Sequence, residues 1–503
     1  MSTINNQETT LGALMQTTEQ ILSPFSPGHL DYLMVTPALG LYPDPANSRH
    51  RSPSLAVGYV LGQVKKAGYT VKFIDMDACL ISPERLYDYI ESNRPRLIGF
   101  TTVTTTINMA AILAKEIKKR CPEIPICVGG PHATMVPEET LTEFGMFDFL
   151  VRGEGEVAIP TVLQYLGEGR EDYSEIQGVI TQGKKDLSSC LVADLESLPF
   201  PAWEEFDLTR YPGVDQHRTR RELPIITARG CPYDCCFCCR QPGMRKVRYR
   251  SVDSVLNEIA RNVEEFGAET MVFADETFTI KKDFAVAICE GILARGLHRM
   301  MRWSCSTRVD AADQELFDLM RRAGCYDMFF GFESGDDRLL EIAGKRITIA
   351  QMRSAVQMAK QTDIAVHGCF ILGLPGETED TIEKSWKLAK ELDIRGVSFP
   401  IAVPFPGTRL RAMAERSEYG LRILSNNWDD YGKQYPGVMD QGELTMEKLL
   451  YYQQKSYLNH PLKWDYLWPE DELDRTKRRT QSPLRIEERT SQGHVDRHSK
   501  ATV

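Results

Sequence analysis

At 503 residues the chain is long enough for two or three domains, and its 42% hydrophobic content is enough for sizeable cores. Seventy acidic residues against 60 basic ones leave a net charge of −10, which argues against a nucleic-acid footprint, and no long basic stripe offsets it. Thirteen cysteines, an odd number spread through apolar segments, fit a reducing cytoplasm better than a disulfide framework. No apolar run approaches the roughly 18 residues that span a bilayer, so no transmembrane segment is expected. Residues 1–28 lack the basic-then-apolar plan of a signal peptide and read as a flexible N-terminus.

From residue 29 to about 165, short apolar runs alternate with amphipathic stretches. Strands are predicted at 32–36, 71–75, 97–101, 124–128 and 147–151. Between the first two, Val57, Val60, Leu61 and Val64 repeat at i, i+3, i+4, i+7, the period of a helix face. Five such units predict an α/β domain with a doubly wound, Rossmann-like parallel sheet, whose ligands sit beyond the carboxyl ends of the strands. Thr102 and Thr104 follow one predicted strand end; Gly129, Gly130 and His132 follow another.

Residues 166–222 are less regular. The run Leu198-Pro199-Phe200-Pro201-Ala202-Trp203 breaks any long helix, and the segment reads as a linker with a small ordered insert. A second alternating series covers 223–410, with strands predicted at 223–228, 271–274, 302–306, 327–331, 365–371 and 396–401. Six βα units predict a partial TIM-type barrel, open on one side, with its chemistry at the carboxyl ends. Leu256, Ile259, Ala260 and Val263 mark one face of its first helix. Residues 411–469 read as a small helical region rich in aromatics, and 470–503 as a charged, disordered tail.

The most specific feature follows the first barrel strand. Cys231, Cys235 and Cys238 form a Cys-x3-Cys-x2-Cys triplet. Three thiolates serving a cluster of four irons leave one iron open, the arrangement of a catalytic cluster rather than a purely electron-carrying one. Zinc is the rival, since Cys235/Cys238 and Cys236/Cys239 are Cys-x2-Cys pairs. A structural zinc site wants a second ligand pair about 12–20 residues on, however. The next candidates are Cys289 and His298. A thioredoxin-type redox pair fits no better, because it would open a helix in a small βαβ domain. Cys236 and Cys239 read as bystanders.

With this spacing, and Phe237 just before the last cysteine, the chain resembles the radical S-adenosylmethionine (SAM) superfamily. The resemblance implies a 4Fe-4S cluster on Cys231, Cys235 and Cys238, whose open iron binds SAM and passes it an electron that releases a 5′-deoxyadenosyl radical. It also implies SAM contacts. Phe237 would pack near the adenine, and Asp275-Glu276 would meet the amino group, although that loop departs from the family's Gly-Gly-Glu. Arg308 would clamp a carboxylate, and Glu333, with Ser334 beside it, would accept from the ribose hydroxyls. Gly373 would allow close approach of the backbone to the base.

Segments 52–58, 129–134, 151–156 and 198–203 narrow the resemblance to cobalamin-dependent radical SAM enzymes over roughly residues 30 to 410. In that family the first domain binds cobalamin, which would place Thr102, Thr104, Gly129, Gly130, His132 and Glu154 at this cofactor. Many cobalamin proteins put a histidine under cobalt with Asp-x-His-x-x-Gly. Asp-x-His occurs here only at Asp215/His217 and Asp496/His498, without the glycine and outside the first domain. The expectation is therefore cobalt with no histidine beneath it, and His132 as a capping or core residue, or one bonded to the corrin periphery or nucleotide tail, rather than a ligand. The implied activity is methylation of an unactivated carbon of a small-molecule substrate, fed by a flavodoxin- or ferredoxin-type electron donor. The alternative is an oxidative cyclase resembling the anaerobic magnesium-protoporphyrin monomethyl ester cyclase, or a rearrangement enzyme. A non-catalytic cobalamin sensor is the remaining rival. The C-terminal aromatics would be ordinary packing or a lid over substrate.

Overall fold

Two six-stranded sheets order the chain, and a computed structural model describes residues 22, 30–39, 52–184, 186–211, 221–432 and 437–460. The first sheet contains β1 (Tyr32–Thr36), β2 (Val71–Asp75), β3 (Leu97–Thr101), β4 (Ile126–Gly129), β5 (Phe149–Val151) and β6 (Val179–Ile180), in the order β2-β1-β3-β4-β5-β6. Its first five strands are parallel, and the order turns back between β1 and β3. A ligand crevice is expected at that reversal. β4 and β5 start two residues later than the apolar pattern predicts. Turns closed by Ile124 N–H to Cys121 O and Phe147 N–H to Phe144 O occupy the first positions, and Pro125 has no N–H to give a ladder.

The segment expected as a linker is packed onto this sheet. β6 runs antiparallel to β5. The helix Leu55–Lys66, capped by Ser54, presents Gly58 and Gly62 to the proline-rich run. A side chain at Gly58 would come within 2.8 Å of Pro201 Cβ, and one at Gly62 within 2.7 Å of Phe200 O. That close approach lets Ala202 N–H reach Gly58 O at 2.9 Å and buries Trp203 completely.

The second sheet uses β7 (Glu222–Ile225), then the small antiparallel pair β8 (Ala228–Arg229) and β9 (Arg248–Tyr249), then β10 (Thr270–Phe273), β11 (Arg302–Thr307), β12 (Cys325–Glu333), β13 (Ala365–Phe370) and β14 (Gly396–Ser398). The order β14-β13-β12-β11-β10-β7 is all parallel, with β7 and β14 as its two edges. This is the open (βα)6 partial barrel. Phe330, Phe332, Phe370 and Phe399 pack ring to ring within its core.

Beyond the barrel the chain is not purely helical. β15 (Leu421–Ile423) and β16 (Met439–Gln441) pair antiparallel between the helices Arg409–Glu415 and Met446–Asn459. Strands of three residues are too short to show alternation. The expectations for residues 1–21 and 470–503, for Asp215/His217 and Asp496/His498, and for Tyr435, Trp464, Tyr466 and Trp468 lie outside the described residues. Among those described, no helix is long and apolar enough to cross a membrane.

Trp203→Ala would leave a large void where the proline-rich run meets the first sheet. It should cost about 3–5 kcal/mol, read as a lowered urea midpoint.

Candidate functional site

The carboxyl ends of the first sheet and of β7 and β10 on one side of the barrel open on a cavity of about 730 Å³, whose lining does not include the triplet cysteines, Arg308, Glu333 or Gly373. Thr36, Thr101, Thr102, Gly129, Gly130 and Gly153 reach it from the first sheet; Ile226, Arg229, Ala274 and Glu276 reach it from the barrel. Gln241 and Met244, just past the cysteine triplet, also face it. Gly130 has φ +93°, and a side chain there would lie 2.5 Å from Thr102 O, so only glycine closes this turn. Thr36 Oγ1 and Gln241 Oε1 are buried on the cavity wall with no protein partner among the described residues. Such groups await a polar ligand. The size, the strand-end glycines and these two atoms fit a large cofactor with amide edges.

Buried ion pairs join the sheets beside the cavity. Glu154 takes Arg248 on both oxygens at 2.7 and 2.8 Å and Arg229 at 3.2 Å, while Glu156 takes Arg229 at 2.8 Å. Burial works against the Glu154 carboxylate, yet the two arginines hold it below its ordinary range. Behind them Tyr59 donates to Glu258 at 3.1 Å, and Arg250 donates to both, at 2.6 Å to Glu258 and 3.0 Å to Tyr59. Glu154 therefore lines the cavity, but its oxygens are engaged by protein.

Thr102, Gly129 and Gly130 face the cavity as the sequence suggests; Thr104 and His132 do not. His132 Nδ1 lies 3.3 Å from Thr104 Oγ1, and its ring meets the edge of Trp428 at 5.0 Å. Burial pushes His132 down to about 4, leaving it neutral at pH 7. This histidine belongs to the contact that seats the 427–431 segment on the first sheet, where Trp428 also donates to Glu143 at 3.0 Å.

The cysteine loop hangs between β8 and β9. Gly230 opens it at φ +115°, where a side chain would strike the carbonyls of Met244 and Lys246 at 2.8 Å. Cys231 N–H donates to Met244 O at 2.9 Å, and Cys238 N–H to Cys235 O at 3.2 Å. Cys236 turns away: it is fully buried against Ala343 and Leu374, its N–H donates to Ala343 O at 2.7 Å, and burial pushes its thiol up to about 12. Cys239 is exposed. Desolvation, followed by the thiols of Cys235, Cys231 and Cys239, pushes Cys238 up to about 11, so the triplet shares one electrostatic neighbourhood.

Cations back this loop. Burial raises the Cys235 thiol, while Lys345 and Arg308 act in the opposite direction. Arg308 stacks 3.6 Å over the ring of Tyr233, inside the loop, grips Asp310 with two bonds of 2.9 Å and donates to Lys345 O at 2.7 Å. Lys345, which no motif flags, is buried and pairs with Glu333 at 2.8 Å. Glu333 adopts φ +66°, rare for a residue with a side chain, where β12 shifts register against β13.

The other expected SAM residues divide. Phe237 packs beside Ile371 and Met413. Glu276 faces the cavity, whereas Asp275 is turned inward. It accepts from Thr227 Oγ1 at 2.8 Å and Ala228 N–H at 2.7 Å, bracing the turn that leads to the cysteines, and burial lifts it to about 6 against these bonds. Ser334 is fully buried and accepts from Asp336 N–H at 3.2 Å. Gly373, at φ +84°, gives its N–H to Glu377, a carboxyl that burial lifts to about 8.

A family model described as the Radical SAM superfamily matches residues 225–389, and one described as the B12 binding domain matches residues 46–163. An uncharacterized methyltransferase of Pyrococcus horikoshii is 31% identical over 422 residues, covering 82% of this chain and 88% of that protein. The anaerobic magnesium-protoporphyrin IX monomethyl ester cyclase of Cereibacter sphaeroides is 30% identical over 367 residues, covering 71% of this chain and 60% of that protein. The fold is shared with the solved structure of the radical S-adenosylmethionine methyltransferase TsrM from Kitasatospora setae, with cobalamin and a 4Fe-4S cluster bound. The TM-score is 0.68 at 18% identity, over 88% of this chain and 90% of that one.

Replacing Cys231, Cys235 or Cys238 with Ala should remove bound iron after anaerobic reconstitution, while Cys239→Ala should keep it; iron retained by the first three variants would contradict the assignment. Glu333→Ala leaves the Lys345 charge buried and unpaired, which should cost about 3–5 kcal/mol in urea unfolding. Glu333→Ala with Lys345→Met should recover most of that loss without restoring SAM affinity in equilibrium dialysis.

Proposed function

Because the chain belongs to the cobalamin-dependent radical SAM enzymes, we propose that it is a methyltransferase acting on an unactivated carbon of a small molecule. The observation that carries this reading is a cavity that the strand ends of the B12-type sheet share with Ile226, Arg229, Ala274 and Glu276 at one side of the radical SAM barrel. A substrate held there lies between the two cofactor regions without having to move. The methyltransferase relative is matched over 88% of its length and two cyclase relatives over 60% and 76%, which leans toward methylation.

When bound, the cluster and SAM supply the power to abstract hydrogen, and cobalamin supplies the methyl group. The residues divide the remaining work. Cys231, Cys235 and Cys238 hold the cluster, and Lys345 and Arg308 offset the negative charge gathered there. Glu276 would meet the SAM amino group from the cavity wall, and Glu333, fixed by Lys345, would offer its second oxygen to the ribose. Thr102, Gly129 and Gly130 hold the corrin edge at the strand ends. The buried Tyr59–Arg250–Glu258 group closes the joint beside the cavity against water. A flavodoxin- or ferredoxin-type protein in the cytoplasm would deliver the electron.

The test is anaerobic turnover of the reconstituted protein with SAM, cobalamin and a metabolite pool, followed by mass spectrometry. A product heavier than its precursor by one CH2 unit is expected, with 5′-deoxyadenosine formed alongside. Oxidation or isomerisation without added carbon would instead select the cyclase or rearrangement alternative.

A further inference from the structure

We propose that the basic rim of the cysteine loop is the docking surface for an acidic one-electron carrier protein of the flavodoxin type. This rests on the radical SAM reading of that loop.

The chain as a whole carries a net charge of −10, and the loop reverses that sign. Between Cys231 and Lys246 the only acid is Asp234, against Arg240, Arg245 and Lys246. Asp234 Oδ1 accepts from Arg245 at 2.8 Å and from Arg240 at 2.9 Å, and Asp234 O accepts from Arg409 at 3.1 Å. One residue between Cys231 and Cys235 therefore gathers three guanidinium groups.

Two segments outside the loop brace it, and each brings an exposed arginine. Cys236 N–H donates to Ala343 O, three residues before Arg346; Leu410 N–H donates to Cys236 O, beside Arg409. The two segments meet at Asp234, because a side chain at Gly344 would come within 2.8 Å of both Asp234 O and the Arg409 guanidinium. Lys246, Arg346 and Arg409 are exposed and form no ion pair among the described residues. Across the loop and its two braces these cations, with Arg240 and Arg245, face two acids outside the core, Asp234 and the exposed Glu341.

A lone surface cation is ordinary. Here unneutralised cations are held side by side in a chain where acids outnumber bases, and they ring the segment that carries the cysteine triplet. Two proteins of net negative charge repel at a distance and dock where the local field changes sign; complementary potentials then set orientation and encounter rate. Electron transfer weakens steeply with distance, so a carrier has to dock close to the cysteines. Gln241 and Met244 turn to the cavity, whereas Pro242, Gly243, Arg245 and Lys246 turn to solvent, so the rim is the side of the loop that a protein can reach. The step moves one electron and no atom: the carrier's reduced flavin loses it and the cluster gains it.

The test uses the reconstituted full chain with a purified, reduced flavodoxin, and with dithionite as a small reductant that needs no docking surface. Binding is read by isothermal titration calorimetry and reduction by loss of the cluster's visible absorbance. Arg245→Glu with Lys246→Glu should weaken flavodoxin binding, and raise the concentration giving half-maximal reduction, by about tenfold or more at low salt. The difference should shrink at high salt, while bound iron and reduction by dithionite stay native. Arg94→Glu with Lys119→Glu makes the same charge change at exposed sites on the first domain and should shift neither reading. Native flavodoxin dependence in the loop variant, or an equal shift in the control pair, would overturn the docking surface and leave the cluster assignment intact. A native chain that holds no iron after reconstitution would overturn both.

Discussion

The cluster of buried ion pairs around Glu154 is the constraint on which the rest depends. Two sheets that each place chemistry at their carboxyl ends are useful together only when those ends share an interior. Arg229 and Arg248 lie on the small β8/β9 pair that frames the cysteine loop; Glu154 and Glu156 lie at the end of the first sheet. The salt bridges therefore fix the cysteine loop directly against the end of the first sheet. Buried pairs of this kind add little net stability over an apolar contact, but breaking one strands a charge in the interior. They suit a joint whose geometry matters more than its strength. Asp275 extends the same logic into the barrel, accepting from Thr227 and Ala228 to hold the turn from which the cysteines hang.

A second theme is the placement of cations. Three thiolates holding an iron–sulfur core, as proposed, would gather negative charge, and Lys345 and Arg308 stand behind the cysteine loop, each held by a carboxylate and by loop or backbone contacts. Glu333 is thereby fixed from one side and left with one oxygen free of the lysine. Its left-handed backbone is the strain that turns its side chain back from the end of β12.

The broad architecture could be read from periodicity, because long parallel strands buried on both faces leave continuous apolar runs. The strands from Tyr32 to Val151 and β7 and β10 of the barrel announce themselves this way, whereas β11 and β13 alternate buried and half-buried residues. What escaped notice was short or distant. β6, β15 and β16 have two or three residues and no measurable alternation. The run ending at Trp203 looks like a linker until Gly58 and Gly62 are known to open a helix face for it. Of the proposed site, the cysteine triplet stands out by spacing alone, since a cluster demands local ligands. Arg248 is 94 positions from the glutamate it holds, and Lys345 carries no motif, so only the folded chain brings them together. The same applies to His132, which sits in a glycine-rich strand-end loop yet packs under Trp428. Asp275 and Glu276 are neighbours in sequence, but the end of β10 turns one inward and one to the cavity.

Everything proposed for this chain requires cobalt and the cluster to look into one cavity. Anomalous diffraction at the cobalt and iron edges, from anaerobic crystals of the reconstituted protein grown with cobalamin, locates both metals directly. A cobalt peak inside the cavity bounded by Thr102, Gly130 and Glu276, with the iron peak at Cys231, Cys235 and Cys238 facing it, is the expected result. A cobalt peak on the outer surface, or iron coordinated away from these cysteines, would contradict it.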